Sequence, residues 1–95
     1  MSDWKFETPA EGMAVTTKQV MAGATVVYVS HDSDDGAWQF HTADPLTEED
    51  ALLVTLGDVL EVHPSMVELA DLPAGWVAER SAAGAPWTRR VHEDE

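Results

Sequence analysis

Hydrophobic and polar positions alternate most clearly between Thr25 and Thr42. Two β-branched and aromatic runs, residues 25–31 and 37–42, flank the polar, glycine-ended stretch of residues 32–36. Such runs around a turn predict a β-hairpin. With residues 33–36 as the loop, one face of the hairpin is apolar and the other is mixed in polarity. The apolar face carries Val27, Val29, Trp38 and Phe40, with Val29 opposite Phe40, and the mixed face carries Val26, Tyr28, Ser30, Gln39 and His41.

Shorter patterns before and after the hairpin predict further helices and strands. Thr16 or Thr17 can cap a helix of about two turns that begins at Lys18, and Gly23 is placed to end it. Residues 47–50 have the composition of a helix cap with an acidic first turn. Residues 51–55 fit either the continuation of that helix or a short buried strand. Further along, the pattern predicts a helical segment over residues 56–61 that Pro64 ends, and strands over residues 76–80 and 87–91.

Together these elements predict a single domain over residues 1–95, of the α+β class. We expect an antiparallel β-sheet with a central hairpin and two or three short helices packed on one side. Residues 1–12 have no clear period, which predicts an irregular arm that docks through Trp4 and Phe6, and residues 92–95 predict a frayed tail. The first residues lack the pattern of a signal peptide, and no stretch has the length of a membrane span. We therefore expect a cytoplasmic protein that contacts no membrane.

The distribution of charge is uneven. Between Thr25 and Leu72 the chain has eleven acidic side chains and no lysine or arginine, and the net charge of the whole chain is −13. An acidic surface repels nucleic acids and attracts a basic protein through a long-range field. Self-repulsion at this charge favours a monomer or a small homo-oligomer.

A basic protein partner is therefore expected, and no nucleic-acid partner. The predicted partner-binding residues are acids in two turns, joined by two tryptophans in irregular segments, since tryptophan is enriched at binding hot spots. These residues are Asp32, Asp34, Asp35, Glu48, Glu49, Asp50, Trp4 and Trp87. Core packing is the competing role for both tryptophans.

No catalytic, cofactor or metal site is predicted. The chain has no cysteine, which excludes disulfides and thiolate sites. In the loop that starts at Asp32 the glycine comes one residue too early for a calcium-binding loop. The four histidines lack zinc-site spacing, and His31 and His41 fall on opposite faces of the hairpin. Adjacent carboxylates in turns are ordinarily solvated, so no acid and base pair is indicated and we expect no enzyme.

The sequence LPAGWVAER over residues 72–80, followed by Pro86 and Trp87, resembles a family of small bacterial proteins grouped with predicted immunity proteins of polymorphic toxin systems. Trp38-Gln39-Phe40, residues 56–60 and the turn at residues 63–65 fit the same family, over roughly residues 15–90. His63 stands where that family would have an acidic residue. The resemblance implies an α+β domain that has no cofactor and acts by binding a protein.

Charge and resemblance agree on one function, an immunity-type inhibitor that caps the basic surface of a toxin by steric and electrostatic contact. Two alternatives remain. One is a housekeeping or regulatory adaptor whose charge serves solubility. The other is a DNA mimic, which requires carboxylates at phosphate-like intervals on one face.

Overall fold

The computed structural model describes residues 4–6, 8–33, 36–44 and 47–91. In chain order the regular elements are strand β1 (Met13–Thr17), helix α1 (Lys18–Met21), strands β2 (Tyr28–His31), β3 (Trp38–His41) and β4 (Ala51–Thr55), helix α2 (Leu56–Val62), a 3₁₀ helix (Pro64–Leu69), and strands β5 (Trp76–Glu79) and β6 (Thr88–Val91). No helix within the described residues is long and apolar enough to cross a membrane.

The strands form one six-stranded sheet in the order β4-β1-β3-β2-β5-β6. The α+β prediction is confirmed. The sheet, however, is mixed rather than antiparallel, because β1 runs parallel to β3 while the other neighbouring pairs are antiparallel. Strand β1 is an element that the sequence pattern does not predict, and its position between β4 and β3 accounts for the difference.

The predicted hairpin is confirmed in its register. Val29 pairs with Phe40 and His31 with Trp38, and the same strand then pairs with β5 on its other side. The prediction for Val26 is wrong: its side chain is 0% exposed rather than on the mixed face. Strand β2 begins only at Tyr28, so the alternation of the strand does not extend back to Val26.

One face of the sheet holds the core. The strands supply Ala14, Val29, Trp38, Phe40 and Ala78 to a single buried cluster, and the helical segments supply Val20, Leu56, Val59, Met66 and Leu69. Gln39 and Ser30, which alternate with these residues on the central strands, are only partly buried on the opposite face. The helices thus cover one side of the sheet, as predicted.

The helices begin where capping residues allow it. The side chain of Thr17 accepts a hydrogen bond from the backbone N–H of Val20, which confirms the predicted start of α1. Thr55 and Asp58 form a reciprocal capping box at the start of α2. Residues 47–50 form a turn instead of a helix, and the strand β4 follows directly.

The N-terminal arm docks on the core as predicted. The rings of Trp4 and Phe6 lie 5.4 Å apart, and Phe6 meets Trp38 edge-on at 5.1 Å between centroids. Thr8 accepts two indole hydrogen bonds: its hydroxyl from Trp38 at 3.0 Å and its carbonyl from Trp4 at 2.7 Å. Residues 1–3 of the arm, and the predicted tail at residues 92–95, lie outside the described residues.

Candidate functional site

The predicted acidic site residues lie in separate places. Asp32 follows the last residue of β2, and Glu48, Glu49 and Asp50 form the turn that leads into β4. Ala51 at the start of β4 pairs with the last residue of β1, whereas Asp32 lies at the end where the parallel strands β1 and β3 begin. The two groups therefore lie at opposite ends of the strands. Asp34 and Asp35 lie outside the described residues.

The turn before β4 is held in place by helix α1. Asp50 is half-buried; its carboxylate accepts a hydrogen bond from the side-chain amide of Gln19 at 3.1 Å, and its carbonyl accepts one from the N–H of Lys18 at 2.9 Å. Glu48 and Glu49 are exposed. We call Glu48, Glu49 and Asp50 the acidic turn. Its geometry presents two exposed carboxylates on a backbone that is fixed by its neighbours.

An exposed apolar patch extends along β4 and β1 away from the acidic turn, on the sheet face that the helices leave uncovered. Leu53 in β4 is 64% exposed and pairs with the partly buried Val15 in β1; Met13, two residues earlier in β1, is 50% exposed. We call Met13, Val15 and Leu53 the β4 patch. The charge pattern did not reveal it, although the uncharged run of residues 51–55 between acidic segments is a sequence signal that points to it.

The two edges of the sheet differ in charge. Strand β4 contains no charged residue, whereas β6 carries Arg89 and Arg90. Arg89 forms an ion pair with Asp71 and Arg90 forms one with Glu79. The hydrogen bond from Arg89 lowers the pKa of Asp71, and the one to Glu79 raises the pKa of Arg90.

Both predicted tryptophan anchors pack partly buried against the core. The indole of Trp4 is held by Thr8, as described above. Trp87 lies beneath the guanidinium of Arg80, whose central carbon is 4.4 Å from the ring centroid, and Arg80 also donates to the carbonyl of Val26 at 2.9 Å. Much of each ring is therefore used in packing, which leaves less surface for a partner than the sequence suggests.

A cleft of about 860 Å³ lies on the helical side, beside His31. Nδ1 of His31 donates to the carbonyl of Leu72 at 2.9 Å, and its ring stacks on Trp38 with centroids 4.1 Å apart. The described lining includes no serine, threonine, tyrosine or cysteine that could act as a nucleophile with this histidine. No group of three or more metal-binding side chains occurs among the described residues. His31 therefore joins the hairpin to Leu72.

No known protein family, curated protein or solved structure matches this chain. The resemblance to predicted immunity proteins thus stays a prediction.

Proposed function

We propose that this chain is an acidic protein-binding module that acts in the cytoplasm as an immunity-type inhibitor of a basic toxin. One observation carries the proposal: the exposed carboxylates of Glu48 and Glu49 lie next to an uncharged edge strand whose Leu53 is 64% exposed. Charge of one sign accelerates the encounter with a basic protein, and apolar contact then slows dissociation. The two contributions lie on the same edge of the sheet, since the acidic turn leads directly into β4.

Capping a basic surface requires that the carboxylates hold their positions. The hydrogen bonds of Asp50 to Gln19 and Lys18 fix the turn before any partner arrives. A preordered binding segment loses less conformational entropy on binding than a loose loop does. We assign direct contact with the partner to the acidic turn and to the β4 patch.

The remaining predicted residues have a different part in this proposal. Asp32 lies at the opposite end of the strands from the acidic turn, so we assign it to the long-range field and not to the same contact. Field effects need no contact, because at physiological salt they act over about 8 Å. The partly buried Trp4 and Trp87 are replaced as apolar anchors by Leu53 and Met13, which are more exposed.

The test uses tagged protein to capture partners from a lysate of the native organism at low and at moderate salt. One stoichiometric basic protein retained at moderate salt, whose toxic activity the chain abolishes, is the expected result. Several weakly held proteins would indicate an adaptor instead. Capture of no protein at either salt would contradict the proposal.

The captured partner then allows a matched comparison of charge position. A double variant, Glu48→Gln with Glu49→Gln, removes two exposed charges beside β4; Glu61→Gln with Glu68→Gln removes two exposed charges elsewhere. We expect the first variant to associate roughly three- to tenfold more slowly at low salt, and the second to change little. Equal effects of the two variants would show that only net charge matters.

A further inference from the structure

We infer that the basic partner binds as an extended segment along the outer edge of β4, with its backbone paired to Leu53. The inference rests on the proposed function and specifies its binding mode. In such strand addition, main-chain hydrogen bonds supply affinity, and side chains on alternate positions supply selectivity. It requires a sheet edge whose backbone groups are available.

The direction of the backbone groups in β4 follows from its pairing with β1. The N–H of Lys18 donates to the carbonyl of Asp50, and the N–H of Leu56 donates to the carbonyl of Gly12. These two bonds lie one at each end of the antiparallel pairing between β1 and β4. Hydrogen-bonded pairs alternate along such a ladder. Residues 52 and 54 therefore direct their backbone groups toward β1, and Ala51, Leu53 and Thr55 direct theirs outward.

Two of the three outward N–H groups already have partners. The N–H of Ala51 donates to the carbonyl of Thr47 at 3.1 Å, and the N–H of Thr55 donates to the carboxylate of Asp58 at 3.4 Å. Leu53 lies between them, and its N–H and carbonyl have no partner in the part of the chain that the structure describes. The docking site is therefore short and centred on one residue whose side chain is also exposed.

The opposite edge of the sheet is protected in the ordinary way. Charged side chains on an edge strand oppose pairing with another chain, and β6 carries two arginines. Strand β4 carries no charge and no proline. This contrast selects β4 as the edge that accepts a partner.

Charge determines the kind of partner. Glu48, Glu49 and Asp50 precede β4, and Asp50 lies about 10 Å from Leu53 at 3.4 Å per residue. A second copy of this chain would bring its own acidic residues to this edge in either strand direction. Two chains of net charge −13 repel each other. A segment with an apolar residue opposite Leu53 and lysine or arginine toward the acidic turn meets both requirements.

The first experiment records backbone amide resonances of the isotope-labelled protein during titration with a short synthetic peptide in which valine and lysine alternate. The control peptide has the same sequence with alternate backbone nitrogens methylated, which preserves charge and removes strand pairing. We expect the unmethylated peptide to shift the Leu53 amide most and to protect it from hydrogen exchange. Equal binding of the methylated peptide, or shifts centred away from β4, would overturn the inference and leave the proposed function standing.

The second experiment uses two matched variants, Leu53→Lys and Val91→Lys. Both replace an exposed apolar residue on an edge strand and both add one positive charge; Val91 is 51% exposed. We expect Leu53→Lys to weaken binding of the valine–lysine peptide at least tenfold and Val91→Lys to change it less than twofold, with both variants retaining the thermal unfolding of the parent.

If the two variants weaken peptide binding equally, the added charge alone explains the effect, and the inference is overturned. Concentration-dependent shifts at Leu53 without peptide would identify a second copy as the occupant and also overturn it. If neither peptide binds at low salt, the result would instead contradict the proposed attraction to basic partners, so the two failures are distinguishable.

Discussion

The hydrogen bond between Trp38 and Thr8 provides a direct test of how the N-terminal arm stabilises the fold. The indole of Trp38 is 1% exposed, and its N–H donates to the hydroxyl of Thr8. Replacing Thr8→Val keeps the shape of the side chain and removes the acceptor. The buried indole N–H then loses its partner without gaining access to bulk water.

The expected cost follows from that geometry. A buried donor left without an acceptor costs about 1–3 kcal/mol. Thr8 is itself only half-buried, so we expect the lower part of that range, about 1–2 kcal/mol. For a domain of this size each kcal/mol lowers the melting temperature by about 4–8 °C. The Thr8→Val protein should therefore melt about 4–16 °C below the parent.

Thermal unfolding by circular dichroism measures the change, and two variants control it. Thr88→Val makes the same substitution at an exposed position and should alter stability by less than about 0.5 kcal/mol. Thr8→Ser retains the hydroxyl, so the Trp38 indole N–H should keep its protection from hydrogen exchange, which Thr8→Val should lose. The reasoning is refuted if the Thr8→Val protein has the melting temperature of the parent. It is also refuted if the Trp38 indole N–H exchanges at the same rate in the parent, Thr8→Ser and Thr8→Val proteins.

Two further predictions concern local packing and titration. A Cβ added by Gly12→Ala would lie 2.5 Å from the Thr8 methyl and 3.0 Å from the Pro9 carbonyl, so we expect a loss of about 1–3 kcal/mol. The loss should be smaller in a Thr8→Ser background, where that methyl is missing. A double-mutant cycle measures this through the free energies of unfolding in denaturant, and additive effects of the two substitutions would contradict the contact. Burial lowers the pKa of His41 from 6.5, because desolvation disfavours the charged imidazolium. Its Nε2–H donates to Gln39, and its Nδ1 is buried without a partner among the described residues. The unfolded chain therefore takes up a proton first, and below about pH 6.5 the parent should lose stability relative to His41→Gln; parallel stability curves between about pH 7 and 5 would show that His41 contributes nothing to the difference.

Local patterns were sufficient for the central hairpin and for two helix starts. The alternation that pairs Val29 with Phe40 is complete within residues 25–42, and the Thr17 cap lies next to the helix that it starts. Strand β1 was not predicted because Thr17, which the sequence marks as the cap of α1, is also the last residue of the strand. Its parallel pairing with β3 depends on residues more than twenty positions away, and no local periodicity reports such a pairing.

Some residues of the candidate site could likewise be predicted from a local pattern, and others could not. The sequence indicated that Glu48 and Glu49 are solvated, but it placed them in the first turn of a helix, whereas they lie in a turn before β4. The exposure of Leu53 depends on β4 being the edge of the sheet, and the order of strands is a property of the folded chain. The role of Trp4 also required the structure, because only the path of the arm shows that Thr8 holds its indole.

The position of β1 in the sheet also constrains the order in which the strands can pair. The strand precedes both of its neighbours in the sheet, β3 and β4, along the chain. During synthesis Met13–Thr17 has no strand to pair with until Trp38–His41 has left the ribosome, and it is enclosed on both sides only after Thr55 has followed. The β2–β3 hairpin, closed by a short loop, forms without this wait, since local contacts form faster than distant ones. We therefore expect assembly of the sheet to start at its centre, and the edge formed by β4 to be completed only after β1, which precedes it in the chain, has been placed beside it.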